Sequence, residues 1–214
     1  SQKAKYSKNI LIEIDPENTI SKVSDDFIGF GYETSAVANE GLFSVDNAHM
    51  VQLYKTLSTN GLVRVGGIIG DWTHYKDDGN PIGRSQKEKT IINKKVLKDL
   101  GDFLRATGWK CMWTLNLGTG TKEEAVEVAL VVNDVLGDRL HSFEIGNEVS
   151  LLERFKNYED YHQTYLEYKE AIREKLPKAV FSGADIAFSG NIQWNVNFAN
   201  TESEDMSELL QHYY

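Results

Sequence analysis

Apolar and polar positions change their spacing in a regular order along the chain, and this order predicts alternating strands and helices. The segment NILIEID (residues 9–15) alternates apolar and polar residues and predicts a strand, after which PENTISKVSDD turns the chain. Beyond it, short apolar runs alternate with longer segments whose apolar residues recur every three to four positions. These longer segments predict helices from residues 47, 94, 121 and 158, and Gly61 and Gly108 end the first two. Thr121 and Glu124 have the spacing of a capping box at the start of the third helix.

Six strands are predicted after residue 26. Their sequences are FIGFGYE, LVRVGGIIGD, KCMWTLNLG, LHSFEIGNE, AVFSGADIA and LLQHYY. Strands that are joined by helices form right-handed crossovers and a parallel sheet. Polar residues follow nearly every strand, whereas an open doubly wound sheet concentrates them at one switch point. The predicted fold is therefore α/β, a (β/α)8 TIM barrel of which the first six βα units are present.

The length of the chain limits how much of this barrel it can hold. A complete barrel takes about 250 residues, and 214 residues are present. Two strand–helix units are therefore expected to be missing, which leaves a gap between the first and the sixth strand. We expect a missing C-terminal segment or a second chain to close this gap.

Composition excludes several classes of function. The net charge is −9 and no basic patch stands out, which argues against nucleic acid and membrane surfaces as partners. No apolar run approaches the roughly 18 residues of a transmembrane helix. The N-terminal SQKAKYSKN lacks a signal-peptide core, although a signal removed earlier would leave the same sequence. The compartment stays open, with a secreted or periplasmic location as the expectation.

Two further sequence features give no sign of a cofactor. The glycine-rich LGTGTKEE matches neither phosphate-binding motif, G-x-x-x-x-G-K-[ST] or G-x-G-x-x-G. The five histidines show neither H-x-H nor H-E-x-x-H spacing, so no metal site is predicted. The only histidine that falls at a strand end beside a potential pocket is His212.

The sharpest chemical signal is Glu148, which follows Asn147 at the end of the predicted strand LHSFEIGNE. Burying a carboxylate is costly, so one at the mouth of a strand usually has a function. Cleavage of a glycosidic bond needs a carboxylic acid to protonate the leaving oxygen, and a walled pocket can supply one with a raised pKa. The alternative interpretation is that Glu148 only caps the following helix.

The segment FEIGNE resembles the acid/base motif of the retaining glycosidases that are built on (β/α)8 barrels. Within that clan, VRVGGIIGDW (residues 63–72) is similar to the second strand of the heparanase-like β-glucuronidases, glycoside hydrolase family 79. FIGFGYE resembles their first strand and QHYY their sixth, so that the resemblance covers residues 11–214. One position departs from the pattern, because Val149 stands where a proline commonly follows the Asn-Glu pair.

The resemblance implies a site and a domain organisation. Glu148 would be the acid/base, and residues 1–22 would give a strand to an accessory β-sandwich beside the barrel at 23–214. The predicted ligands of a sugar are Asn147 (2-hydroxyl), Glu33 and Asp71 (other hydroxyls), Asn116, His212, Tyr213 and Tyr214. Trp72 and Trp113 are further candidates for the pocket wall. The nucleophile is expected outside this chain, and Asp185 is the local substitute.

The expected function is retaining hydrolysis of β-linked glycosides, with a β-glucuronide or a glycan that contains uronic acid as the substrate. No metal or organic cofactor is expected. Two alternatives stay open, a carbohydrate-binding barrel without catalysis and a clan relative that acts on a neutral sugar.

Overall fold

The computed structural model describes residues 11–24, 26–187 and 191–213. In chain order the strands are β1 (Gly29–Glu33), β2 (Leu62–Gly66), β3 (Thr73–Tyr75), β4 (Thr90–Ile92), β5 (Lys110–Leu115), β6 (Leu140–Ile145), β7 (Phe181–Ile186) and β8 (Met206–Gln211). The helices are α1 (Thr34–Val37), α2 (Ala48–Leu57), α3 (Lys94–Thr107), α4 (Lys122–Leu136), α5 (Tyr158–Lys175) and α6 (Ile192–Glu202).

Six of these strands form one parallel sheet in the order β1-β2-β5-β6-β7-β8, and β3 pairs with β4 in a small separate sheet. The order across the main sheet is the order along the chain, so each successive strand–helix unit adds to the same edge. A doubly wound sheet would reverse its order at a switch point. The prediction of a partial (β/α)8 barrel is confirmed.

Side chains at the amino ends of the helices explain where these helices begin. Asn47, Asn93 and Asn157 each accept a bond from a backbone N–H in the first turn of α2, α3 and α5. At α4, Thr121 and Glu124 form the capping box that the sequence predicts. Each cap satisfies a backbone donor that the helix itself leaves without a partner.

The two faces of the main sheet have different chemistry. Val63 and Val65 of β2 are fully buried in the apolar core, which contains side chains of helices α2 to α6, and Arg64 between them points to the opposite face. Trp113 of β5 also belongs to this core at 1% exposure. Trp113 projects on the side of the sheet that the helices cover and is not among the residues that line the cleft of Glu148 described below.

Several local predictions differ from the structure. The strand predicted at 9–15 is absent from its described part, since residues 11–24 are exposed and form no strand. The division at residue 22 stays a prediction. Helix α6 and the β3–β4 pair were not predicted, because the segment of α6 is rich in asparagine and polar residues, and β3 and β4 have only three residues each.

Strands β1 and β8 are the two edges of the main sheet and do not pair with each other within the described residues. The expected gap between the first and the sixth barrel strand is therefore present. What closes it stays a prediction. No helix in the described ranges is long and apolar enough to cross a membrane.

Candidate active site

A cleft of about 560 Å³ opens at the carboxyl ends of the strands. It is lined by residues of the segments that follow β2, β5 and β6, and by the loop between β3 and β4: Ile68, Asp71, Trp72, Gln86, Lys87, Gly118, Thr119, Asn147, Glu148, Leu151, Leu152, Glu153 and Arg154. Three residues predicted for the site from sequence, Asp71, Asn147 and Glu148, thus meet in one cleft, and Trp72 lines it as proposed.

A tight turn after β6 presents Glu148. Gly146 has a φ of 86°, and a Cβ at this position would lie 2.8 Å from Val149 Cγ1 and 2.9 Å from Leu117 Cδ2, so only glycine fits. Glu148 itself has a φ of 45°, a left-handed conformation that costs a non-glycine residue about 1–2 kcal/mol. Its backbone N–H donates to Asp185 Oδ2 at 3.3 Å, which helps to hold this conformation. Glu148 precedes a single 3₁₀ turn and forms no side-chain cap, so the helix-cap alternative is wrong.

Arg64 of β2 joins three strands across the inner face of the sheet. Its Nε lies 2.9 and 3.0 Å from the two carboxylate oxygens of Glu144, and Nη2 donates to Asn147 Oδ1 at 3.0 Å and to Asp185 Oδ2 at 2.8 Å. Thr114 of β5 also donates a hydrogen bond to Glu144 Oε2 at 2.6 Å. The strands β2 and β7 are three positions apart, about 14 Å in a flat sheet. A direct Arg64–Asp185 contact therefore indicates that the sheet is curled.

The guanidinium also fixes the orientation of Asn147. Arg64 can only donate, so the amide atom that faces it is the oxygen. The NH2 of the Asn147 amide consequently points away from Arg64. The backbone N–H of Asn147 donates to Asp71 Oδ2 at 3.2 Å, which secures the same residue from the side of β2.

His212 follows β8 and bridges two carboxylates. Its Nδ1 lies 2.9 Å from Glu148 Oε1, and its Nε2 lies 2.8 Å from Asp185 Oδ1. The side-chain contact with Asp185 and the charge of that carboxylate, together with the hydrogen bond to Glu148, raise the pKa of His212 to about 9 against the opposing effect of burial. The imidazole is therefore cationic at neutral pH. The sequence placed His212 at the site, and the structure brings it to the acid/base candidate.

Asp71 is buried and binds backbone amides of two neighbouring loops. Oδ1 accepts from Leu117 N and Gly118 N, both at 3.0 Å, and Oδ2 accepts from Asn147 N. Burial raises the pKa of Asp71 to about 7, against the opposing effect of these hydrogen bonds. The carboxyl group thus ties the end of β2 to the loops after β5 and β6. Its predicted contact with a sugar hydroxyl stays a prediction.

Glu33 ends β1 at the same end of the sheet. Its Oε2 accepts from Ile69 N at 2.8 Å, and its carboxylate packs so closely on Gly67 that a Cβ there would lie 2.3 Å away. Gly67 has a φ of 67°, so both space and conformation require glycine at this position. Glu33 and Asp71 therefore share the end of the barrel that carries Glu148, as the sequence predicted, and the sugar-binding role of Glu33 stays a prediction.

Asn116 differs from its sequence interpretation. Its Nδ2 donates to Thr73 O at 2.9 Å, and its Oδ1 accepts from Thr119 N at 2.9 Å and Gly120 N at 3.0 Å. The amide turns back into its own loop and does not line the cleft of Glu148. Tyr213 follows β8 and is exposed. Tyr214 lies outside the described residues.

Sequence reasoning missed Arg64, Glu144 and Thr114. A signal was available, because an arginine inside LVRVG and a glutamate inside LHSFEI interrupt otherwise apolar strands. Charged residues are rarely buried without a partner, so two opposite charges on the inner faces of nearby strands indicate an ion pair. In the described ranges, no group of three or more His, Cys, Asp or Glu side chains is arranged to hold a metal ion.

Comparison with known proteins gives one sequence relative and a set of similar structures. No protein-family model matches the chain. A hyaluronoglucuronidase from Hirudo nipponia is 33% identical over 75 residues, which make up 34% of this chain and 15% of that protein. A 4-O-α-L-rhamnosyl-β-D-glucuronidase from Fusarium oxysporum superposes with a TM-score of 0.74 at 15% identity, over 94% of this chain and 47% of that one. The predicted resemblance to glucuronidase-like glycoside hydrolases is confirmed.

The barrel is shared with other glycosidases as well. A thermostable α-L-arabinofuranosidase from Thermotoga petrophila superposes with a TM-score of 0.61 at 16% identity, over 93% of this chain and 48% of that one. The chain thus spans about half the length of these solved structures and a smaller part of the hyaluronoglucuronidase. At such identities the structural likeness establishes the fold, and one barrel fold serves many substrates.

Replacing Asp71 by asparagine should destabilise the protein at pH 6 by about 1–3 kcal/mol. At this pH the carboxyl group is largely neutral and can still accept all three backbone bonds, whereas an asparagine must turn its NH2 towards at least one buried N–H. The free energy of unfolding measures the effect, and the exposed Asp78→Asn is the matched control. Because the pKa of Asp71 is raised, the contribution of its carboxyl group to the free energy of unfolding decreases as the pH rises through about 7. The difference in this free energy between the wild type and Asp71→Asn should therefore be smaller at pH 8.5 than at pH 6. A difference that grows there would contradict this account.

The bridge at His212 predicts a stability that depends on pH. The folded pKa of about 9 lies above the unfolded value of about 6.5, so the stabilisation is complete below pH 6.5 and is lost as the pH rises through 9. The difference corresponds to about 3 kcal/mol at most. His212→Gln should therefore flatten the fall in unfolding free energy between pH 6 and 9.5, and the exposed His49→Gln should not. Equal slopes in the wild type and His212→Gln would show that the bridge does not form.

Proposed function

We propose that this chain carries the acid/base of a retaining glycoside hydrolase that acts on β-linked glucuronides or on a glycan containing uronic acid. One observation supports the proposal most strongly: the carboxyl group of Glu148 stands in the cleft at the end of β6, beside an Asn147 whose amide Arg64 holds in one orientation. Cleavage of a glycosidic bond requires a positioned proton donor, and a neighbouring amide held in one orientation can hydrogen-bond a hydroxyl of the sugar beside the reacting carbon.

In the first step, Glu148 protonates the leaving oxygen while a nucleophilic carboxylate attacks the anomeric carbon. In the second step, Glu148 removes a proton from water, which attacks the same carbon and releases the sugar. The nucleophile should lie about 5–5.5 Å from Glu148 across the scissile bond. We propose that it comes from a part of the protein beyond the described residues.

Two observations support an anionic sugar. Lys87 and Arg154 both line it, and the sequence relative is a hyaluronoglucuronidase. A neutral sugar remains the second candidate, because the barrel is also similar to an α-L-arabinofuranosidase. A panel of aryl β-glucuronide, β-glucoside, β-xyloside and α-L-arabinofuranoside would separate these substrates in the full-length protein. Binding of the sugars without turnover of any of them would favour the non-catalytic alternative.

In the full-length protein, Glu148→Gln should lower kcat/KM for an alkyl β-glucuronide by roughly 10²- to 10⁴-fold, because the poor leaving group needs general-acid assistance. An activated dinitrophenyl β-glucuronide needs little protonation, so its first step should suffer much less. Azide needs no general base and should restore turnover of the activated substrate. The matched control is Glu159→Gln, an exposed carboxylate on α5 outside the cleft, which should retain activity. Unchanged kinetics of Glu148→Gln on both substrates would exclude Glu148 as the acid/base.

A further inference from the structure

Three contacts form a closed ring through Glu148 at the end of the barrel, and a fourth holds this ring to Arg64. Asp185 contacts the backbone N–H of Glu148 through Oδ2 and the Nε2 of His212 through Oδ1, at 3.3 and 2.8 Å. His212 Nδ1 then reaches Glu148 Oε1 at 2.9 Å. Arg64 Nη2 holds Asp185 Oδ2 at 2.8 Å. Both the backbone and the carboxyl group of Glu148 are therefore attached to Asp185, the first directly and the second through His212.

This arrangement is unsuited to a nucleophile at Asp185. A nucleophilic carboxylate must present an oxygen to the anomeric carbon, yet the side chain of Asp185 is only 2% exposed. One of its oxygens lies against Arg64 and the N–H of Glu148, and the other lies against His212. Asp185 is also absent from the lining of the cleft. Asp185, the local candidate for the missing nucleophile, thus has contacts that suit a residue that positions other groups.

The contacts of His212 are likewise directed at protein carboxylates. Both ring nitrogens lie within 2.9 Å of a carboxylate oxygen, one from Glu148 and one from Asp185. The backbone N–H of His212 donates to Ile186 O at 2.9 Å, which fixes the residue against β7. The charged groups that face the imidazole are Asp185 from β7, Glu148 from the turn after β6, and Arg64 from β2. A sugar hydroxyl would have to displace one of these carboxylates to reach either nitrogen.

We propose that Asp185 and His212 are positioning residues that hold the carboxyl group of Glu148 in the orientation needed for proton transfer. This inference rests on the proposed role of Glu148 as acid/base. A glutamate side chain has several rotamers, and a bond to one carboxylate oxygen selects among them and fixes the plane of the group. Misplacement of a catalytic group by about 1 Å can cost two orders of magnitude in rate. The pair therefore acts on the step in which Glu148 gives a proton.

Two substitutions of His212 separate its two contacts. The amide nitrogen of an asparagine occupies roughly the place of Nδ1, so His212→Asn can still donate to Glu148 but loses Asp185. His212→Gln places its amide near Nε2, so it keeps a donor for Asp185 and loses Glu148. The control is His141, which pairs with Glu208 at the opposite end of the same sheet, and His141→Gln removes a similar histidine–carboxylate pair away from the cleft.

The experiment measures kcat/KM of the full-length variants on an alkyl and on a dinitrophenyl β-glucuronide. His212→Gln should lower the alkyl-to-dinitrophenyl ratio by roughly 10- to 100-fold, His212→Asn by clearly less, and His141→Gln not at all. The ratio does not depend on how much of a variant is folded, so partial misfolding leaves the result interpretable. Adding His212→Gln to Glu148→Gln should not lower the ratio further, because both changes act on the same proton transfer.

Equal losses on both substrates in His212→Gln would overturn the proposal, because a residue that only binds sugar or stabilises the fold affects both alike. A larger loss of the ratio in His212→Asn than in His212→Gln would also overturn it, since the contact with Glu148 would then not matter. If Glu148→Gln itself leaves the ratio unchanged, the proposed function fails. If only the His212 variants leave it unchanged, the proposed function stands and the positioning role is lost.

Discussion

The arrangement of the site depends on the ion pairs of Arg64. This one side chain contacts Glu144 on β6, Asp185 on β7 and the amide of Asn147 in the turn between β6 and α5. Glu144 is fully buried and Asp185 nearly so. Removing a buried charge from water costs several kcal/mol, which is recovered only when the partners have good geometry and further hydrogen bonds. Here the guanidinium meets two carboxylates, and Thr114 supplies another donor to Glu144.

The ion pairs also couple the shape of the sheet to the chemistry of the cleft. Arg64 reaches β7 only because the sheet is curled, and Asp185 reaches His212 and the Glu148 backbone from the same position. The orientation of the acid/base candidate is thus set by strands that lie far apart in sequence. Asp71 adds a second constraint from β2, through the backbone of Asn147 and of the loop after β5. Rigid strand ends of this kind suit a site that must hold a carboxyl group to within a fraction of an ångström.

How much the sequence could predict depended on whether the signal was local. The helix-capping pair Thr121 and Glu124 and the Asn-Glu pair after β6 are both short patterns, and the structure contains them where the sequence placed them. The position of the Asn116 amide could not be predicted, because the conformation of its own loop decides whether this amide faces the cleft or the backbone. Arg64 was missed because its partners lie 80 to 121 positions further along the chain. Only the curl of the sheet brings them together.

The most direct test of this account is a crystal structure of the full-length protein with an uncleaved β-glucuronide analogue. The account predicts the glycosidic oxygen of the analogue within about 3 Å of a carboxyl oxygen of Glu148. It also predicts that the amide NH2 of Asn147 faces the sugar, with Arg64 still on Asp185. An analogue bound away from this cleft, or bound in it with the Glu148 carboxyl group turned away from the glycosidic oxygen, would contradict the account.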